Sequence, residues 1–418
     1  MVPNEEKLSV AVLAGVASRE YDAEESLREL EELAQAAGAQ VAGCFLQNLP
    51  SIQAATYVGP GKLEEIADFC RMKEADLLII DDELSGIQLR NIEQAVQVRV
   101  IDRTMLILDI FAQRAVSSEG KLQVELAQQK YLMPRLIGLG SVLSRQGGGI
   151  GTRGPGETQL ETDRRHIRRR IDALSRELKE LEKRRGQMRR RREKSGVPVI
   201  AIVGYTNVGK STLLNRLTDA GVLEKNQLFA TLDPTARELN LPDGQKAVLI
   251  DTVGLIRRLP HQLVEAFHST LEEAVNADLI LNLCDITSPE CDEQLQVTRE
   301  LLEELGCGDT PVITVFNKID CREDRQDFVS HGHMVFLSAK EQLGFGDLME
   351  VICRELSQRV RRMELLIPYT QGSLLDQIRR QGKIFSETYE ENGTRITANV
   401  DVKMLKAVTP YAVLPEQE

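Results

Sequence analysis

Gly204-Tyr205-Thr206-Asn207-Val208-Gly209-Lys210-Ser211 fits the pattern G-x-x-x-x-G-K-[ST]. The run Val197 to Val203 before it is apolar and reads as a buried strand; Ser211 to Leu217 after it reads as the start of a helix. Strand, glycine-rich loop and helix in that order are the context in which such a motif binds phosphate. The glycines let backbone N–H groups turn inward onto phosphate oxygens, and the helix N-terminus adds the positive end of its dipole. In that arrangement Lys210 reaches the β- and γ-phosphates and the Ser211 hydroxyl is a ligand for Mg2+. The expected substrate is therefore a nucleoside triphosphate.

The base is read further along. Asn317-Lys318-Ile319-Asp320 ends the apolar run Pro311 to Phe316. A carboxylate at Asp320 can accept together from the N1–H and N2–H2 donors of guanine, whereas adenine offers it an acceptor at N1. Charge-assisted hydrogen bonds of this kind are worth about 1.5–3 kcal/mol each, enough to choose between the bases. Asn317 and Lys318 are expected to brace the phosphate loop and cover the base plane. Ser338-Ala339-Lys340 follows a further strand-like run, Met334 to Leu337, and reads as a second loop against the base. Between these motifs Asp251-Thr252-Val253-Gly254 closes the run Ala247 to Ile250. An acid there can hold Mg2+ through water, and the Gly254 N–H can meet the γ-phosphate. Phe229-Ala230-Thr231-Leu232-Asp233-Pro234-Thr235 lies where a switch loop belongs. Thr231 is the favoured second Mg2+ ligand, with Thr235 as the alternative. Lys210, Thr231 and Gly254 form the expected catalytic set.

In this combination the chain resembles a translation-factor-class GTPase, and more narrowly the HflX family. The resemblance includes the switch loop just quoted and the second switch, Asp251-Thr252-Val253-Gly254-Leu255-Ile256-Arg257-Arg258-Leu259-Pro260. It extends upstream to Tyr57-Val58-Gly59-Pro60-Gly61-Lys62, to Ile101-Asp102-Arg103-Thr104, to Glu119-Gly120-Lys121-Leu122-Gln123 and to Arg153-Gly154-Pro155-Gly156-Glu157-Thr158. The last part of the chain matches weakly. Position 255 is Leu where the family usually carries Phe. The resemblance implies a GTP-hydrolysing enzyme and names its partner as the large (50S) ribosomal subunit and its rRNA. It also implies a role in splitting or rescuing stalled ribosomes, with a helical arm reaching ribosomal RNA.

Composition agrees with a folded protein. The chain has 418 residues, of which 42% are hydrophobic and 28% charged; that length is enough for several domains. No apolar run is long enough for a transmembrane helix, and the acidic start, Met1 to Lys7, lacks a signal-peptide core. A cytoplasmic protein is expected, and nothing in the sequence demands more than a monomer. Seven cysteines without a C-x-x-C pair argue for reduced, buried thiols and against zinc. His331-Gly332-His333 reads as a loop without an acidic or cysteine partner. From Arg164 to Lys194 there are 15 Lys and Arg against 5 Asp and Glu, an excess of +10. The net charge of −12 therefore leaves about −22 on the remainder, the signature of a basic arm for a polyanion on an acidic body. With no Trp and only 4% aromatic residues, backbone and shape contacts to RNA are expected over base stacking.

The expected fold is α/β in four parts. Residues 1–115 alternate strand and helix signals and predict a parallel sheet under helices, an α/β nucleotide-binding-like domain. Gly59-Pro60-Gly61-Lys62 within it lacks the span of a phosphate loop and reads as a rigid turn opening a helix. Residues 116–196 predict a basic helical coiled hairpin with a Gly-rich tip. Its first helix is expected from Glu119 to Met133, ended by Pro134. Its second carries the stripe Ile167, Ile171, Leu174, Leu178 and Leu181. Residues 197–361 form the GTPase domain around a mostly parallel sheet. Residues 362–418 form a small α+β appendage with a hairpin turn at Asn392-Gly393.

Hydrolysis needs a positioned water, and many GTPases supply a glutamine just after D-x-x-G. Leu255 stands there and cannot hydrogen-bond, so slow turnover alone and stimulation by a partner are expected. The Asn207 amide oxygen can join K+ beside the β- and γ-phosphates. Two other functions fit the motifs: a GTPase acting in tRNA modification or ribosome assembly, and a regulatory GTP-binding interaction protein. No flavin, folate or catalytic-cysteine motif supports the first, and no hydrophobic anchor supports a membrane version of the second.

Overall fold

The computed structural model describes residues 9–17, 22–143, 159–195, 197–218, 235–242, 244–252, 254–256, 273–324, 328–357, 360–381, 384–401 and 404–413. By its contacts the chain divides into two compact units, the first in the main up to Glu180 and the second from Leu181 onward.

In the first unit strands β1 (Ser9–Ala17), β2 (Ala39–Asn48), β3 (Leu77–Ile80) and β4 (Arg99–Asp102) pair in the order β2-β1-β3-β4. All of these pairings are parallel, as the alternation of strand and helix signals leads one to expect. The crossovers are α1 (Ala23–Ala36), α2 (Pro60–Met72) and α3 (Gly86–Val96), followed by α4 (Arg103–Arg114). Helices α1, α3 and α4 start where the sequence supplies a side-chain cap. The Asp22 carboxylate accepts from the N–H groups of Glu24 and Glu25, and Ser85 and Gln88 form a reciprocal capping box on α3. Helix α1 then buries Leu27, Leu30, Leu33 and Ala34 along one face; each large aliphatic side chain so buried contributes about 1.5–3 kcal/mol. Helix α2 begins at Pro60 behind Gly59, whose N–H donates to Gln47 Oε1 at 2.8 Å. Lys62 pairs with Glu65 at 2.6 Å, so Gly59 to Lys62 is a turn opening a helix.

Helix α5 (Ser118–Leu143) differs from the expectation, because it runs through Pro134 instead of ending before it. Residues on both sides of the proline are anchored to the edge of the sheet. The Tyr131 hydroxyl donates to buried Asp102. Arg135 donates to Leu84 O at 3.1 Å, to Glu83 Oε1 at 2.8 Å and to Tyr131 O at 2.9 Å. The guanidinium thus serves a carbonyl beside the break, and tertiary contacts offset the cost of an internal proline. Helix α6 (Gln159–Ser195) buries Leu174 and Leu178 from the expected stripe. Arg170 makes a two-point ion pair to Glu125 of α5, at 2.6 and 2.7 Å. The glycine-rich connection at residues 147–156 lies outside the described residues.

The second unit contains a six-stranded sheet in the order β10-β9-β8-β5-β7-β6. Its strands are β5 (Val199–Gly204), β6 (Thr235–Asn240), β7 (Lys246–Asp251), β8 (Leu279–Asp285), β9 (Val312–Asn317) and β10 (Met334–Phe336). Only β6 runs antiparallel to its neighbour; the others pair in parallel. The central strands β5 and β8 are nearly continuous apolar runs because helices cover both faces. Those helices include α7 (Lys210–Thr218), α8 (Cys291–Glu304) and α9 (Phe345–Ser357).

Beyond it β11 (Val360–Ile367), β12 (Ile384–Glu390) and β13 (Gly393–Asp401) form an antiparallel sheet in the order β11-β13-β12. It packs with α10 (Gly372–Gln381) and α11 (Leu405–Val408) around Leu365, Ile378, Ile396 and Val408. The Glu390↔Gly393 pair closes the hairpin at the Asn392-Gly393 signal. Among the described residues no helix is long and apolar enough to cross a membrane.

Candidate nucleotide site

Parallel pairing brings the motifs together. Ile202 stands opposite Asp251, Gly204 opposite Leu283 and Asp285 opposite Asn317. The loops that leave β5, β7, β8 and β9 therefore emerge at one edge of the sheet, the carboxyl end where open α/β sheets bind ligands.

The loop from Gly204 to Gly209 leads directly into α7, which begins at Lys210. Three of its residues take positive φ, Gly204 at 146°, Asn207 at 62° and Gly209 at 96°. A Cβ at Gly209 would collide with the Asn317 amide nitrogen, so only glycine fits there. Lys210 is buried, and its ammonium donates to Tyr205 O at 2.6 Å and Gly204 O at 3.1 Å. Burial pulls its pKa down to about 8, although the Asp251 charge works the other way.

Ser211 Oγ donates to Asp251 Oδ2 at 2.7 Å. A hydroxyl and a carboxylate in contact beside a buried lysine are hard oxygen donors suited to Mg2+. Thr252 locks the same strand end, its N–H and hydroxyl both donating to Ile202 O at 3.3 and 2.7 Å. Next comes Gly254, packed so closely that a Cβ would lie 2.8 Å from Thr206 Cγ2 and 3.0 Å from Lys210 Nζ. Leu255 is buried, and its backbone is zipped to the phosphate loop. Its N–H donates to Gly204 O at 3.0 Å, and its carbonyl accepts from Thr206 N at 2.8 Å. The position that carries glutamine in many GTPases thus presents an inward-packed aliphatic side chain.

On the base side Asn317 is buried and serves two loops. Its Nδ2 donates to Val208 O at 2.7 Å, and its Oδ1 accepts from Ala339 N at 2.9 Å. Asn317 thus ties the loop after β5 to the Ser338-Ala339-Lys340 loop. Lys318, in left-handed backbone, pairs through Nζ with Asp285 Oδ2 at 2.6 Å. Ile319 and Asp320 begin a short 3-10 turn. Burial pushes the Asp320 carboxyl up, but hydrogen bonds from Ser338, its own backbone and Cys321, with the charge of Lys340, hold it below the usual carboxylate range. It stays an ionised acceptor.

Phe229, Ala230, Thr231, Leu232, Asp233 and Val253 lie outside the described residues. Thr235, the alternative Mg2+ ligand, opens β6. Asp285 escaped the sequence reading, though an acid closing an apolar run is the same signal that singled out Asp251. The cysteines differ from expectation. Cys284 and Cys291 form a disulfide, and Cys44 and Cys321 are exposed. A separation of 7 residues across the turn from β8 to α8 brings the pair together, which no local motif announces. His333 gains an acid that sequence distance hid, Glu355, at 3.7 Å. No cluster of metal-binding side chains occurs among the described residues.

Three family descriptions match successive stretches: GTP-binding GTPase N-terminal at residues 24–112, GTP-binding GTPase Middle Region at 114–192, and 50S ribosome-binding GTPase at 199–318. A protein named GTPase HflX from Caldanaerobacter subterraneus is 51% identical over 96% of this chain and 94% of its own. Another of that name from Lacrimispora saccharolytica is 49% identical over 98% of this chain and 96% of its own. Among solved structures, a GTP-binding protein from Sulfolobus solfataricus in complex with GDP is 28% identical, with a TM-score of 0.44. The match covers 84% of this chain and 99% of that one. With identity at this level along nearly its whole length, the chain belongs to the HflX family of GTPases.

Proposed function

We propose that this chain binds and hydrolyses GTP with Mg2+, and that its nucleotide state governs association with the large ribosomal subunit, where it splits or rescues stalled ribosomes. The carrying observation is the gathering of the phosphate loop, Asp251, Gly254, the Asn317–Asp320 motif and the Ser338–Lys340 loop at one sheet edge, joined through Asn317. The ribosomal part rests on the family description that matches residues 199–318 and on the excess of +10 between Arg164 and Lys194. Contacts of that basic segment with RNA phosphates give an affinity that falls steeply with salt.

In this reading the loop from Gly204 to Gly209 and the start of α7 wrap the phosphates, and Lys210 moves its ammonium charge onto the β- and γ-oxygens. Ser211 and Thr231 would hold Mg2+, with Asp251 behind Ser211, and the metal would supply positive charge against the phosphoryl oxygens. The Gly254 N–H senses the γ-phosphate. Asp320 selects guanine, while Lys318 and the Ser338–Lys340 loop flank the base. Leu255 orients no water, so turnover is slow until the ribosome completes the site. Asn207, exposed in left-handed backbone, offers its amide oxygen to K+; equal turnover in Na+ and K+ would dismiss that role. The four parts read from the sequence serve this scheme as N-terminal domain (1–115), basic arm (116–196), GTPase domain (197–361) and appendage (362–418). The protein works in the cytoplasm as a monomer.

Sucrose-gradient co-sedimentation with ribosomal subunits tests the proposal. Binding to the large subunit with a non-hydrolysable GTP analogue and its loss with GDP are expected. Absence of binding with either nucleotide overturns the ribosomal reading.

A further inference from the structure

The acid that holds Lys318 sits between two cysteines. Cys284 directly precedes Asp285 at the end of β8, and Cys291 opens α8. Their Cα atoms are 6.1 Å apart, within the span of roughly 4.4–6.8 Å that a disulfide bridges. The bridge closes the loop from Asp285 to Glu290, and that loop belongs to the base side of the nucleotide site. Ile286 N donates to Asn317 O at 3.1 Å. Thr287 turns its N–H and hydroxyl onto Asp285 Oδ1 at 2.9 and 2.6 Å, leaving Oδ2 for Lys318 at 2.6 Å. Cys284 is buried, whereas Cys291 is half-exposed and open to a small reagent.

We propose that Cys284 and Cys291 are a redox-modification site, a dithiol–disulfide pair that sets how firmly the chain holds a guanine nucleotide. This rests on the guanine-site reading above. The oxidant is a low-molecular-weight disulfide. The Cys291 thiolate attacks one of its sulfurs; that S–S bond breaks, and one small thiol leaves with a proton. Cys284 then gives up its proton and attacks Cys291 Sγ in the mixed disulfide, expelling the second small thiol. Two protein thiols are oxidised, and one small disulfide is reduced to two thiols. With the bridge closed, the loop keeps Asp285 on Lys318 without further ordering when nucleotide binds. With it open, hydrogen bonds alone hold the loop, and binding must order it. Oxidation is therefore expected to slow GDP release about fivefold, the equivalent of about 1 kcal/mol.

The test uses the full chain and a fluorescent N-methylanthraniloyl GDP. Its release is timed by stopped flow after reduction with dithiothreitol and after treatment with glutathione disulfide. Loss of two hydrogens from the peptide carrying both cysteines reports closure of the bridge. Slower release from the oxidised form, absent in Cys291→Ser and retained in Cys321→Ser, supports the proposal. Equal release from both forms, failure of the bridge to close, or an oxidant effect that persists in Cys291→Ser overturns it. Absence of nucleotide binding in either form instead overturns the guanine-site reading itself.

Discussion

Replacing Asn317 with alanine removes a side chain that joins two loops of the nucleotide site. The amide donates to Val208 O at 2.7 Å and accepts from Ala339 N at 2.9 Å, and Asn317 is 2% exposed. Each hydrogen bond contributes about 0.5–1.5 kcal/mol net, and a buried partner left without one costs about 1–3 kcal/mol. Relaxation of the loops toward water relieves part of that cost, so a total loss of about 2–4 kcal/mol is expected. If nucleotide binding must then re-order both loops at about 2 kcal/mol, affinity for GDP falls roughly 30-fold. Asn317→Asp keeps the acceptor for Ala339 but sets a carboxylate oxygen against the Val208 carbonyl, so it should be at least as damaging. Fluorescent-GDP titration and thermal unfolding of the three proteins measure both effects. An Asn317→Ala protein that binds GDP within twofold of the parent would refute the claim that this side chain couples the loops.

Nucleotide affinity should depend on pH through Lys210. Its pKa near 8 in the free protein rises when phosphate anions approach, so affinity is level below pH 8 and falls toward about tenfold per unit above it, as binding must then take up a proton. Calorimetry at pH 8.5 in buffers of different ionisation enthalpy reads that proton directly; no uptake would contradict the assignment. Gly254→Ala places a methyl 3.0 Å from Lys210 Nζ and 2.8 Å from Thr206 Cγ2. Ribosome-stimulated hydrolysis should drop about tenfold or more while GDP affinity stays near the parent's, because the γ-phosphate contact is displaced; unchanged turnover argues against a γ-phosphate contact at Gly254. Tyr131→Phe deprives buried Asp102 of a hydrogen bond, at a cost of about 1–3 kcal/mol to the first unit. A melting temperature identical to the parent's would show that the anchor of α5 on the sheet contributes nothing.

What the sequence by itself determined is local. The phosphate loop, the strand before it and the helix after it are contiguous, so their chemistry is readable from spacing. The same holds for the parallel sheet of the first unit, whose apolar runs alternate with capped helices, and for the hairpin at Asn392-Gly393. Asp320 was singled out because Asn317-Lys318-Ile319-Asp320 directly follows an apolar run. The tertiary structure alone decided features that depend on residues distant in the chain. Helix α5 continues through Pro134 because Asp102, Glu83 and Leu84 hold Tyr131 and Arg135 from another part of the fold. Asp285 becomes the partner of Lys318 through the β8–β9 register. Cys284 meets Cys291 only because β8 turns back into α8. Pairing across a sheet and burial against a neighbour are not encoded at any fixed spacing, so they become visible only when the chain is folded.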